Sequence, residues 1–244
     1  MMINQLYLKI INKPKLNWAI RIYLRLFGIP ILAKRLRHKY VKELINKNLK
    51  GNVILDAGCT IGDFSLFLAS RGARVIGIDV INRMEPANSL AKEYKLNIEF
   101  KTADLFKIKY ENYFDGIFAL DLLEHIKNDK ELLIKLNSIA KKGSFLIISV
   151  PSIFRRLNLT HEKAIGHVRK GYSISTIRKL LEETGFEIEE IFYVDPFDKI
   201  YTFYSIRNNF IKAVIFPFLY FFSNKKARKD SNGSLLICRT IKTR

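Results

Sequence analysis

The chain has 244 residues, 48% of them hydrophobic, which is enough for one substantial core and excludes a largely disordered polypeptide. Its formal net charge of +19 is segregated: residues 1–50 carry twelve Lys/Arg against Glu43 alone, residues 197–244 carry ten against Asp198 and Asp230, and residues 51–196 are neutral. Cys59 and Cys238 are the only cysteines, so neither a disulfide framework nor a Cys-x-x-Cys metal site is indicated, and a reduced, intracellular setting is expected.

Residues 1–50 alternate apolar and basic positions at helical spacing. Trp18, Ile22 and Leu26 form one stripe and Arg21 and Arg25 a neighbouring one, until Gly28 and Pro30 break the run. The two arginines interrupt the apolar stretch and no small-residue cleavage site follows it, so a signal peptide is not read here and a cytoplasmic location is expected. The spacing predicts a second helix over 31–49, with Leu32, Leu36, Tyr40, Leu44 and Leu49 inward and Lys34, Arg35, Arg37 and Lys42 in water.

Strands and helices then alternate. Strands are predicted over 52–56, 74–79, 97–101, 114–120, 144–150 and 187–194, and helices over 63–71, 84–94, 129–140 and 175–184. Ser173 reads as the N-cap of the last helix and Gly185 as the residue that ends it. This order predicts an α/β fold, a doubly wound and mostly parallel sheet with helices on both faces and ligands beyond the carboxyl ends of the strands. Residues 210–222 are intensely apolar but shorter than the ~20 residues that span a bilayer. They also contain Lys212 and Pro217, so they read as interfacial. A last strand is predicted over 234–241. The division that follows is a basic amphipathic extension at 1–39, a ligand-binding core at 40–196, and a basic apolar insertion with the final strand at 197–244.

The core is organised around Val53-Ile54-Leu55-Asp56-Ala57-Gly58-Cys59-Thr60-Ile61-Gly62, an apolar run that ends in an acid and two glycines. Such a loop lets a ligand approach the backbone closely at the N-terminus of the following helix. Asp56, Asp79 and Asp104 each stand where a strand should finish; taken singly each also reads as a cap or a turn former, and taken together with Gly58 and Gly62 they form one rim. An acid closing the second strand can accept both hydroxyls of a ribose, so a nucleoside-containing cofactor is expected. The dinucleotide fingerprint Gly-x-Gly-x-x-Gly would need glycine at position 60, and Asp56 would repel a pyrophosphate but suit the ammonium group of a bound amino acid. Those two features favour S-adenosylmethionine.

On these residues the sequence resembles the class I S-adenosylmethionine-dependent methyltransferases, in particular the type 11/12 group that includes small-molecule and quinone-biosynthesis O-methyltransferases. The resemblance covers about residues 40 to 195. It rests on the glycine loop, on Val75-Ile76-Gly77-Ile78-Asp79, on Ala103-Asp104-Leu105, on Phe114-Asp115-Gly116-Ile117-Phe118-Ala119-Leu120-Asp121-Leu122-Leu123-Glu124-His125-Ile126, and on Gly166-His167-Val168-Arg169-Lys170-Gly171-Tyr172-Ser173. It implies a seven-stranded Rossmann-like sheet with an antiparallel last strand. It also implies cofactor contacts from Asp56, Gly58, Cys59, Thr60, Gly62, Asp79, Val80, Asp104, Leu105 and Leu120. Thr60 departs from the family, which usually has glycine there.

An oxygen acceptor must lose a proton, which calls for a base near neutral pKa or a metal. His125, after the fourth strand, is the first candidate base, with ordering of the Glu124 loop as its competing structural role; His167 is the second. A metal on His161, Glu162 and His167 is the weaker alternative because their spacing matches no established ligand pattern, so none is expected. The expected acceptor is a small molecule or a lipid-linked one. The basic apolar ends, including Arg21, Arg25, Arg35, Arg37, Lys212 and Lys225, would then lie on an anionic membrane surface or else cap the active site. An RNA acceptor is a second reading and a non-catalytic cofactor-binding partner protein a third.

Overall fold

The computed structural model describes residues 2, 5, 6, 32–45, 48–154, 166–194, 233 and 235–243. Predicted features before residue 32 and within 195–232, together with His161 and Glu162, lie outside the described residues. In chain order the elements are α1 (Leu32–Leu44), β1 (Val53–Ala57), α2 (Asp63–Ser70), β2 (Arg74–Asp79), α3 (Glu85–Glu93) and β3 (Ile98–Thr102). There follow β4 (Phe114–Leu120), a 3-10 turn (Leu123–His125), α4 (Asp129–Ile139), β5 (Ala140–Pro151), α5 (Ile174–Glu183), β6 (Phe186–Val194) and β7 (Leu235–Lys242).

The strands form one seven-stranded sheet in the order β3-β2-β1-β4-β5-β7-β6. β1 to β5 run parallel, and β7 lies antiparallel between β5 and β6. The order reverses between β1 and β4, and at such a switch point the connections leave in opposite directions and open a crevice at the carboxyl ends. The site therefore lies where the loops after β1, β2 and β4 meet.

The apolar runs of the parallel strands follow from covering both faces. Leu55, Ile117 and Leu146 point to the face packed by α4 and α5 through Leu132, Leu136, Ile177 and Leu181. Their neighbours Ile54, Phe118 and Ile147 point to the opposite face, against Val41 and Leu44 of α1 and Phe64 and Leu68 of α2. Each large aliphatic side chain so buried is worth about 1.5–3 kcal/mol relative to exposure. Ser173 caps α5 by accepting the amide of Thr176 at 3.1 Å, and Gly185 takes a left-handed φ of 84° just past its end, both as the sequence indicates.

One expectation is corrected at α1. The helix ends at Leu44; among its described side chains His38, Val41 and Leu44 are covered, with Ile45 buried just beyond and Leu49 buried as expected, while the side chains of Leu32 and Leu36 lie outside the described residues. Tyr40 is only partly buried. Lys34 and Arg37, placed in water by the sequence, turn inward instead: Lys34 Nζ lies 2.8 Å from Asp63 Oδ1 and Arg37 pairs with Asp121. Lys42 lays its ammonium 4.2 Å from the Phe67 ring centroid. The core presents carboxylates and an aromatic ring to this face, and those partners set which side of α1 is covered.

Candidate active site

Val53–Ala57 ends at the glycine loop, which is tied to the next strand: the amides of Gly58 and Cys59 both donate to the Ile78 carbonyl, at 2.8 and 3.1 Å. Gly62 stands at the N-cap of α2 with φ 77°, and a Cβ there would lie 2.6 Å from Phe100 Cζ and 2.8 Å from the Ala87 methyl. Both the backbone angle and the space demand glycine. Thr60 also has a positive φ, 53°, which costs a side-chain-bearing residue about 1 kcal/mol. Its hydroxyl donates to the Gly58 carbonyl at 3.2 Å and its amide donates to Asp79 Oδ2 at 2.9 Å. The loop thus keeps the shape glycine would allow despite the substitution.

Asp79 closes β2 and is itself held, because Oδ1 accepts the Ile81 amide at 2.9 Å while Oδ2 accepts that of Thr60. A carboxylate has about four acceptor directions, so two amide bonds leave room for a vicinal diol. Asp104 Oδ1 accepts the Phe106 amide at 2.9 Å, which makes it a turn former whatever else it contacts. Leu105 packs its side chain into the core, so an adenine contact at this position would fall to its backbone. Val80 is 67% exposed beside Asp79.

A cleft of about 230 Å³ opens beside the loop, bordered on one wall by Asp56, Gly58, Cys59, Thr60, Asp63 and Phe64 and on the other by Lys34, Arg37 and His38, with Leu120, Asp121 and His125 at its end. Asp56 is only 2% exposed and accepts the Ser65 hydroxyl at 2.5 Å. Burial, partly offset by that hydrogen bond, pushes its pKa up to about 7. Cys59 is buried too, and the same desolvation raises its thiol far out of the reactive range. His38 stacks at a tilt on Phe64, with ring centroids 4.8 Å apart, and burial lowers its pKa to about 3. Its ring is therefore neutral at pH 7, and the cations of this wall are Lys34 and Arg37.

At the end of β4, Asp121 takes a left-handed φ of 50°; its amide donates to the Ser149 carbonyl, and its Oδ1 accepts the Ser149 hydroxyl at 3.0 Å. The next turn carries His125, whose Nδ1 lies 3.1 Å from the Gly166 carbonyl. A carbonyl only accepts, so Nδ1 bears the hydrogen and the neutral ring keeps its lone pair on Nε2. His167 stands edge-on to His125, with ring centroids 4.8 Å apart. The structure thus brings the two histidine candidates together. Among the described residues, Glu124, His125 and His167 also place potential ligand atoms within 4.8 Å of one another, a set that could hold a metal ion. Of the three residues the sequence offered for a metal, His167 is in this group, and His161 and Glu162 lie outside the described residues.

Sequence reasoning missed Lys34, Arg37, His38, Asp63 and Asp121. Asp121 was within reach, since it ends an apolar strand as Asp56 and Asp79 do. The helix residues gave no local signal.

The residues present fit S-adenosylmethionine. An acid that can accept a diol ends β2, and the glycine loop, with no room for a Cβ at Gly62, lies beside it. The cleft is lined by both carboxylates and cations, paired with each other as Lys34 with Asp63 and Arg37 with Asp121, the charge types that an ammonium and a carboxylate on one ligand would exchange with.

A protein-family model described as a methyltransferase domain matches residues 31–191. A ubiquinone biosynthesis O-methyltransferase of Rickettsia canadensis is 28% identical over 180 residues, covering 68% of this chain and 76% of that protein. One from Coxiella burnetii is 32% identical over 120 residues, 48% of this chain and 50% of its own. Among solved structures, magnesium protoporphyrin IX methyltransferase of Synechocystis PCC 6803 with bound S-adenosylhomocysteine superposes with a TM-score of 0.59 at 22% identity, covering 98% of this chain and 93% of that one. Phosphoethanolamine N-methyltransferase 2 of Haemonchus contortus gives 0.62 at 17% identity over 86% and 53%; at these identities the two structures speak for the fold alone. With the family match spanning most of the chain, the protein belongs to the methyltransferase-domain family, as a class I S-adenosylmethionine-dependent methyltransferase.

Proposed function

We propose that this protein moves a methyl group from S-adenosylmethionine to an oxygen of a small-molecule or lipid-linked acceptor that enters over His125 and His167. S-adenosylmethionine, when bound, supplies an electrophilic methyl group. The chain's own residues supply the rest. Asp79 takes the ribose hydroxyls, and the Gly58 to Gly62 backbone admits the ligand. Asp56 and Asp63 face its ammonium, while Lys34 and Arg37 face its carboxylate. Alignment of this kind in a dry site can contribute roughly 7–11 kcal/mol to a displacement reaction.

The observation that carries the reading is the ring orientation of His125. Its Nδ1–H is committed to the Gly166 carbonyl, which leaves Nε2 as the proton acceptor at the end of the cleft. A base so placed is needed by an acid–base acceptor such as a phenol and is superfluous for a thioether or an already nucleophilic amine. The name of the Rickettsia relative, an O-methyltransferase, supports the same choice. His167 serves as the second proton acceptor.

The test is transfer of labelled methyl from S-adenosylmethionine to fractionated lipid, small-molecule, glycan and RNA extracts, with and without a chelator. Label in the lipid or small-molecule fraction, lost in His125→Ala and resistant to chelation, supports the reading. Label confined to RNA overturns it, and loss on chelation replaces the histidine base with a metal on Glu124, His125 and His167. Peripheral membrane attachment is part of the same proposal and rests on the basic apolar sequence outside the described residues, around 18–25 and 210–229. Flotation with anionic vesicles at low salt tests it, and no binding there removes it.

A further inference from the structure

Segment 166–172 follows the connection that leaves β5 and carries His167 to the active site. It is bound to the turn after β4 at several points. The Val168 amide donates to the Glu124 carbonyl at 2.9 Å, next to the His125 contact with Gly166. The largest share falls to Arg169. Its Nη1 donates to the Asp129 carboxylate, and its Nη2 donates to the carbonyls of Ile126 at 2.7 Å and Lys127 at 2.9 Å. Asp129 is nearly buried at the start of α4 and also takes the Tyr172 hydroxyl at 2.8 Å, while the Leu123 carbonyl lies 3.2 Å from that hydroxyl. The Tyr172 ring lies 5.3 Å from the Arg169 guanidinium carbon.

The other end of the segment is equally fixed. Tyr172 donates its amide to the Pro151 carbonyl at 2.8 Å, and its own carbonyl accepts the Ile153 amide at 3.1 Å. Gly171 has φ 154°, and a Cβ there would meet that Pro151 carbonyl at 2.6 Å. Two neighbouring strand ends, those of β4 and β5, are thus joined through one short segment. His167 lies two residues before Arg169, and His125 two residues before the Lys127 carbonyl that Arg169 holds.

We propose that Arg169, through Asp129 and Tyr172, is the positioning residue that holds His167 edge-on to His125 and so fixes both rings at the acceptor side of the cleft. This rests on the functional reading above for its catalytic meaning, but not for its geometry. Arg169 acts through the Asp129 carboxylate and the Ile126 and Lys127 carbonyls. It fixes the backbone on both sides of the pair, using the planar five-donor fork that lysine lacks. Misplacement of a proton acceptor by about 1 Å can cost on the order of 100-fold in rate, which sets the scale of the expected effect.

The test uses the full chain with S-adenosylhomocysteine as the probe of the cofactor cleft, and proton NMR to detect the cross-peak between the His125 and His167 ring protons. Arg169→Met should abolish that cross-peak and lower labelled-methyl transfer to the wild-type acceptor fraction by about 10–100-fold, with S-adenosylhomocysteine affinity changed less than twofold. Arg169→Lys, which keeps one bond to Asp129, should restore part of both signals. Should Arg169→Met fail to fold, Tyr172→Phe keeps the ring and removes only the hydroxyl, and it should weaken the cross-peak in the same direction. A folded variant that keeps the cross-peak and the rate overturns the proposal, as does equal loss of cofactor affinity and rate. Failure of the wild-type chain to transfer any methyl would overturn the functional reading while leaving the ring geometry to be judged by the cross-peak alone.

Discussion

The two walls of the candidate cofactor cleft are built by opposite means. On the core side the Gly58 to Gly62 loop is shaped locally: positive φ angles, amides committed to the Ile78 carbonyl and to Asp79, and a Cβ-free position against Phe100. On the other side α1 contributes Lys34, Arg37 and His38 purely through tertiary packing, its charges meeting Asp63 and Asp121 far along the chain. A wall made of backbone geometry tolerates little change, whereas a wall of ion pairs tolerates more and responds to salt and ligand.

The backbone-built wall is most sensitive at Gly62. Gly62→Ala adds a left-handed penalty to a clash with Phe100 and Ala87, and about 3 kcal/mol of stability should be lost in a denaturant titration. Arg37→Ala should do the reverse. It should leave the unfolding midpoint within about 0.5 kcal/mol, because the Asp121 pair is partly exposed, while weakening S-adenosylhomocysteine about tenfold in calorimetry as one charged contact disappears. A large stability loss in Arg37→Ala would show that α1 is a structural strut and not a ligand wall.

Asp56 sharpens the contrast through pH. Burial holds its folded pKa at about 7, above the ordinary 3.8 of an exposed aspartate, so its contribution to stability is fully present below pH 3.8 and is lost as pH rises through 7. Cofactor-free wild type should therefore lose several degrees of melting temperature between pH 5 and 8. Asp56→Asn should lose much less, and saturating S-adenosylhomocysteine should remove the difference by giving the carboxylate an ammonium partner. Parallel melting curves for wild type and variant would contradict the burial argument. The smallest effect is expected at Thr60, where Thr60→Gly should gain up to about 1 kcal/mol by relieving the positive φ, measured by denaturant midpoint, with cofactor affinity unchanged or slightly better.

The same contrast explains what could be read in advance. β2 and β4 follow from buried apolar runs bounded by turn residues, and their limits, Arg74–Asp79 and Phe114–Leu120, coincide with the predicted ones. The place of Asp79 at the end of β2 is legible because the buried apolar run stops there. The covered side of α1 is legible only in part. Leu44 is buried as its apolar spacing indicates, but Tyr40 is only partly covered, and buried Asp63 draws Lys34 inward while Asp121 draws Arg37. No local pattern announces a long-range ion pair. The meeting of His125 with His167 is similarly invisible, because it depends on Arg169 and Val168 reaching across from the connection after β5.

On the proposed reading, S-adenosylmethionine binds along the glycine loop with its ribose on Asp79, beside the cleft. Calorimetric titration of S-adenosylhomocysteine into the full chain and into Asp79→Ala tests it most directly. One-to-one binding is expected in the wild type, weakened in Asp79→Ala by about 2–3 kcal/mol, roughly 30- to 150-fold, as the charge-assisted hydrogen bonds to the diol are lost. Equal affinity in the two proteins, or no binding to the wild type, would contradict it.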